Sequence, residues 1–163
     1  MSQQPSHLKR IRTIADYQFG RGAGEILFSE DVAFQFSTTG RIRQILLCNE
    51  RIATVRAKDG MLTLSMKGAG KLHGLIKYPG QRVVVNNDAA PFVAKGKTAF
   101  SRHVVTVDPE IRAGQEVLIV DENDRLLATG KTVLSALEMQ AFKKGIAVDI
   151  RSGIEAKDKP DMD

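Results

Sequence analysis

The chain has one cysteine, Cys48, and no tryptophan among its 163 residues. One thiol cannot form an internal disulfide. His7, His73 and His103 lie far apart, and with a single cysteine they cannot build a zinc ribbon, so no metal is expected. A reducing cytoplasm is the simplest home for such a composition. Long apolar runs are missing too. None approaches the ~20 residues that a membrane helix needs, and "MSQQPSHLKRIR" lacks a signal-peptide core. A cytoplasmic protein with no membrane partner is the expectation. Aromatic residues are few, seven Phe and two Tyr, which argues against rows of base-stacking platforms. Phe92, Phe100 and Phe142 fall in apolar runs and read as core.

Familiar catalytic patterns also fail. "FGRGAGEILF" invites a dinucleotide-loop reading, but Glu25 stands where the third glycine belongs, and the stretch follows a helical pattern instead of a strand. It reads as a joint between helices. "SMKGAGKL" contains Gly70-Lys71, yet Leu72 replaces the Ser/Thr of a P-loop and Ser65 its first glycine. Ser101 and His103 alternate on an expected strand without an orienting carboxylate. Glu116, Asp121 and Glu122 read as solvated groups at turns and strand ends. These absences predict a non-catalytic protein without a cofactor.

What is present is positive charge, unevenly spread. The net charge is +5, with +6 in residues 1–80, +1 in 81–152 and −2 in 153–163. A basic front half suits a polyanion partner. Leu8, Ile11, Ile14 and Ala15 recur at helical spacing, and from Val32 short β runs follow, punctuated by "TTG", "NE" and "KDG". "YPG" at Tyr78–Gly80 marks a joint. Beyond it come five expected strands with helices at "AAPFVAK" and "SALEMQAFKKG", the second opened by the Ser135/Glu138 capping box and closed by Gly145. That pattern suggests a small, partly open barrel. "EAKDKPDMD" is polar and proline-containing, and 153–163 reads as a disordered tail.

The order and spacing of "PFVAKGKTAF", "DPEIRAGQEVLIVDE" and "GKTVLSALEMQAFKKGIAVDIR" resemble a PUA domain from about Arg82 to Arg151. "IADYQFGRGAGEILF" and "FSTTGRIRQILLCNERIATVRAKDGMLTLSMKGAGKL" are similar to the domain that precedes PUA in archaeosine tRNA-guanine transglycosylase. That family is a large archaeal enzyme which exchanges a D-arm guanine of tRNA for a deazaguanine. Its catalytic barrel has no counterpart in these residues. The resemblance implies an α+β chain: a small α/β meander domain over 1–80, then a PUA pseudo-barrel over 81–152. It implies a non-catalytic tRNA-binding protein, acting in trans with the catalytic subunit of a split transglycosylase or a related modification enzyme. Alternatives are a free-standing PUA protein serving another RNA-modification or ribosome-assembly enzyme, and a protein–protein adaptor. Carried over residue by residue, the RNA-facing loop is Lys95, Gly96 and Lys97. Ser101, Arg102 and His103 follow it, and Lys143, Lys144 and Gly145 lead into the final strand. Glycine at 96 would let a phosphate approach backbone N–H groups, with lysines supplying charge on either side. The same residues also suit a helix stop.

Overall fold

The helical spacing of Ile11, Ala15 and Phe19 becomes helix α1 (Gln4–Phe19), with these three side chains buried along one stripe. The computed structural model describes residues 4–156. They divide into two units, the first ending at Leu75 and the second beginning at Ile76.

In the first unit Gly22, at φ 92°, turns the chain into α2 (Ala23–Leu27). A Cβ on Gly24 would lie 2.4 Å from the Arg12 carbonyl oxygen, so glycine is what lets α2 touch α1. The glycine-rich stretch is therefore a helix–helix joint, as its sequence context suggested. Strands β1 (Ala33–Phe36), β2 (Ile42–Leu47), β3 (Glu50–Val55) and β4 (Leu62–Leu64) then pair antiparallel in chain order. Cys48 and Asn49, both at positive φ, make the tight β2–β3 hairpin turn. Helix α3 (Met66–Leu75) covers the sheet with Ala69 and Leu72.

The second unit holds β5 (Arg82–Val85), α4 (Ala90–Ala94), β6 (Ala99–Phe100), β7 (Val104–Val107), β8 (Glu116–Val120), β9 (Leu126–Thr132), α5 (Ala136–Ala141) and β10 (Ile146–Gly153). Strand order is β6-β10-β9-β8-β5-β7, antiparallel except for the β5–β8 pair. The two end strands, β6 and β7, are separated in sequence by only Ser101–His103, a single 3₁₀ turn. One stretch of chain thus supplies both edges, and the sheet closes into a pseudo-barrel. Val83, Val85, Ile119, Ala128, Val148 and Ile150 fill its interior, with Val93 of α4 and Met139 of α5 packed among them. The protein is α+β, with a four-stranded meander unit ahead of a PUA-like pseudo-barrel.

Four local expectations are corrected. Ser101–His103 is a turn and not strand, because the chain changes partner there. Helix α5 opens with the expected capping box but ends at Ala141, so Lys143 and Lys144 lie in a loop beyond it, and Gly145 does not close the helix. Residue 153, expected to open the polar tail, belongs to a strand. Gly153 ends β10, and the Ile154 and Glu155 N–H groups donate to the Leu127 and Ala94 carbonyls; residues 157–163 lie outside the described part. Finally, Glu116 and Asp121 are not solvated. Glu116 is buried against the Arg151 guanidinium, and Asp121 accepts hydrogen bonds from the Asn123 and Arg125 N–H groups and from Arg125 Nε. Opposite charges and turn amides let these carboxylates leave water.

Burial would raise the Asp121 pKa, but its hydrogen bonds from Arg125 and Asn123 and the Arg125 charge outweigh that and hold it below the usual value. A depressed carboxylate stabilises the fold above its unfolded-state pKa, and the gain fades as pH falls through the folded-state value. Asp121→Asn should therefore cost about 1–2 kcal/mol at pH 7. The gap to wild type should narrow below about pH 3.9. Denaturant melts at pH 7 and across the acid range measure both.

Candidate nucleic-acid interface

Asn86 begins the loop that feeds α4. Its Oδ1 accepts the Ala89 N–H at 2.9 Å, and Pro91 sits in the first turn, where a missing N–H does no harm. At the far end the Gly96 N–H donates to the Val93 carbonyl (2.9 Å) and the Lys97 N–H to the Phe92 carbonyl (3.0 Å), with Gly96 at φ 93°. This is a Schellman closure, which needs a left-handed residue at that position. The helix-stop reading of these residues is formed in the structure: the Gly96 amide is engaged in stopping the helix. The side chains of Lys95 and Lys97 are exposed, so any phosphate contact here is through ammonium groups.

The position of this loop is set by β10. A Cβ on Gly153 would fall 2.3 Å from the Ala94 carbonyl oxygen and 2.7 Å from the Gly96 nitrogen. Backbone thus lies directly on backbone, and the Glu155 N–H seals the contact by donating to the Ala94 carbonyl at 2.8 Å.

The second group of candidates meets at the turn that closes the barrel. The Ser101 N–H donates to the Gly145 carbonyl at 2.9 Å, joining 101–103 to 143–145. Gly145 has φ 101° and nothing within 4 Å of where a Cβ would be, so this side of the turn is open. Lys143, Lys144 and Arg102 are exposed. The Arg102 guanidinium stands 4.8 Å from the centre of the Phe100 ring, and the His103 ring meets Phe100 edge-on at 6.0 Å. Ser101 Oγ and His103 Nδ1 are buried with no hydrogen-bond partner among the described residues. Between β7 and α5 a groove of about 500 Å³ is lined by Ser101, Arg102, Val105, Met139 and Phe142, among others. The structure therefore brings 101–103 and 143–145 into direct contact. Lys97 stands four residues ahead of Ser101, at most ~14 Å along an extended chain.

Sequence reasoning missed the aromatic share of this surface. Phe92 is 61% exposed and Phe142 50% exposed, where core positions were expected. Their flanking residues, Lys95 and Lys97 for one and Lys143 and Lys144 for the other, were the available signal: apolar rings amid surface charge. Among the described residues no group of His, Cys, Asp or Glu could hold a metal ion. Also among them, no helix is long and apolar enough to cross a membrane.

Known proteins give this geometry a family. Residues 81–154 match the PUA domain, and residues 9–79 match the patch-forming domain C2 of tRNA-guanine transglycosylase. The chain carries a PUA domain. Its 147 aligned residues are 52% identical to the tRNA-guanine(15) transglycosylase of Pyrococcus furiosus and 50% identical to that of Methanothermobacter thermautotrophicus. Each alignment covers 90% of this chain, but only 25% and 22% of those relatives, so the PUA-domain protein spans about a quarter of their length. A hypothetical protein from Pyrococcus horikoshii superposes with a TM-score of 0.70, covering 91% of this chain and 90% of its own. At 20% identity, that likeness concerns the fold alone.

Two glycines of the PUA domain separate close packing from backbone conformation. Gly153→Ala should cost about 3 kcal/mol or more, because both colliding atoms are backbone and neither can swing aside. Gly96→Ala meets only Ala156 Cβ at 3.6 Å and should cost about 1 kcal/mol, the penalty of a left-handed non-glycine residue. Thermal or urea melts of the two variants rank them; a Gly96 variant less stable than the Gly153 variant would contradict the packing argument.

Proposed function

We propose that this PUA-domain protein binds tRNA through the Lys95–Lys97 loop, the Ser101–His103 turn and the Lys143–Gly145 loop. It lends that grip in trans, in the cytoplasm, to a catalytic transglycosylase chain and performs no base exchange itself. One observation carries the reading. The Ser101–Gly145 hydrogen bond fixes two cationic stretches side by side at an open turn, beside exposed aromatic surface. The names of the relatives support tRNA over other polyanions, and their match to this chain includes both of its domains. Lysine side chains make contacts that are blind to sequence, which suits holding a stem by its backbone. Arg102, braced on Phe100, is the one guanidinium of the set and can meet a phosphate with two parallel N–H donors.

Replacing Lys95 and Lys97 together with alanine should weaken binding to different tRNAs by a similar factor. It should also flatten the log–log salt dependence by roughly 0.7–0.9 for each phosphate that the protein ceases to neutralise. Filter binding at several salt concentrations measures both. Wild-type affinity and slope in the double variant would place the grip elsewhere. For the role in trans, the protein is added to a transglycosylase lacking its C-terminal domains. Turnover at limiting tRNA should rise, since a second grip raises local concentration. Binding without stimulation would point to a PUA protein that serves another RNA enzyme.

A further inference from the structure

We infer that strand β1 is a pairing edge for a second copy of this chain, joined antiparallel about a two-fold axis at Gln35. The inference does not depend on the tRNA-binding reading. Strand β1 ends the order β1-β2-β3-β4, and among the described residues no hydrogen bond joins its other side to another element. The opposite edge is treated differently. There Gln18 of α1 takes both backbone groups of Leu62: its Nε2 donates to the carbonyl and its Oε1 accepts the N–H, each at 2.8 Å. Edges are ordinarily blunted by charge, by proline or by a covering element. The sequence of β1, "AFQF", holds neither charge nor proline, and Ala33, Gln35 and Phe36 are exposed.

The order of side chains selects the strand that fits. Phe34 and Phe36 share one face of the sheet, where the His7 ring stands 5.7 and 5.2 Å from theirs. Gln35 points to the other face. With Gln35 on the axis, Phe34 of each copy stands opposite Phe36 of the other, and the two Gln35 amides oppose each other. Only that register sets both rings of one copy against both rings of its mate, and aromatic cross-strand pairs are favourable. Charge agrees with it. Glu30 and Asp31 precede β1 and Arg41 follows it, all three exposed. Antiparallel pairing puts the acidic end of one copy beside the basic end of the other, which helps to fix the register. The strand is short, so the contact falls at the weak end of protein interfaces and concentration governs it.

The test is sedimentation of the full-length protein between about 10 µM and 1 mM, a span that covers weak association. Wild type should pass from monomer to dimer. Gln35→Lys opposes two ammonium groups on the axis and should raise the dimer dissociation constant about fivefold or more, as should Gln35→Glu with two carboxylates. Mixed in equal amounts, these two variants should pair with each other at least as tightly as wild type does with itself. Disulfide formation reads the register, because directly opposed antiparallel residues have Cα atoms about 4.5–5.5 Å apart, within the span of the bond. In a Cys48→Ser background, Gln35→Cys should crosslink two chains on mild oxidation. Ala33→Cys, four residues from its mate along the strand, should not. Both positions are exposed, and thermal melts should match wild type. A monomer at every concentration overturns the inference. So does a dimer indifferent to both charge variants, or crosslinking as ready at position 33 as at 35. None of these outcomes bears on tRNA affinity, so the tRNA-binding reading stands or falls separately.

Discussion

The pseudo-barrel closes because one stretch of chain supplies both edges of the sheet. Ala99 and Phe100 pair with β10, three residues turn, and Val104–Val107 pair with β5 at the other end of the sheet. Closure removes the exposed hydrogen-bonding edge that a six-stranded open sheet would present. It also demands a turn at 101–103, where the backbone leaves one ladder before joining the next. There Ser101 finds the Gly145 carbonyl, and the Asn86 N–H finds the His103 carbonyl. These main-chain groups are satisfied, whereas Ser101 Oγ and His103 Nδ1 have no partner among the described residues. Of the buried side-chain atoms without a partner among the described residues, Ser101 Oγ and His103 Nδ1 lie at this turn, which is also where 101–103 and 143–145 meet.

A second constraint fixes the other end of the surface. Helix α4 has five residues and one cap, too little to hold a direction by itself. Contact between Gly153 and the Ala94 carbonyl supplies what the helix lacks, anchoring its last turn to the longest strand of the sheet. Lys95 and Lys97 therefore project from a backbone held by two Schellman bonds and a neighbouring strand. Their side chains are exposed, while their backbone is held at the cap and against β10. For lysine, whose contact is a point charge on a flexible stem, a rigid origin contributes most of the geometric definition.

Much of this was legible in the sequence where a local rule and the tertiary structure agree. The Ser135–Glu138 pair announced the start of α5, and both bonds of its capping box are formed. The run "RVVV" became a fully buried strand. Gly20, Gly22 and Gly24 were readable as a helix joint because they followed a helical period. Legibility failed where the decisive partner was distant. "TAFSRHVV" has the β-branched, aromatic texture of one strand, and nothing within it shows that its halves pair with β10 and β5. Glu116 looked solvated because Arg151, its partner, stands 35 residues later. Phe92 and Phe142 looked like core because apolar runs of five or six residues do not reveal which face the helix turns inward. Gly96 was ambiguous for a different reason. A left-handed glycine after a helix serves capping and phosphate approach equally well, and the destination of its N–H, the Val93 carbonyl, shows the capping.

That destination changes how the charge of the protein should be understood. Residues 1–80 carry a balance of +6, and residues 81–152 only +1, though the candidate interface lies in the latter. A near-neutral unit cannot rely on bulk attraction, so its cations must be placed. Here they are: Arg102 is braced on a ring, Lys95 and Lys97 flank a fixed cap, and Lys143 and Lys144 follow a helix stopped at Ala141. Three acidic groups of the same unit are held in ion pairs. Glu116 is consumed by Arg151, Asp121 by Arg125 and its turn amides, and Asp124 by Arg82. These three pairs remove three arginines along with three carboxylates, so the balance of +1 is unchanged and the placement of the exposed lysines decides the local field. Under the proposed tRNA-binding function, the broad excess on the first 80 residues would act at longer range, where position matters less and sign alone raises the rate of encounter with a polyanion.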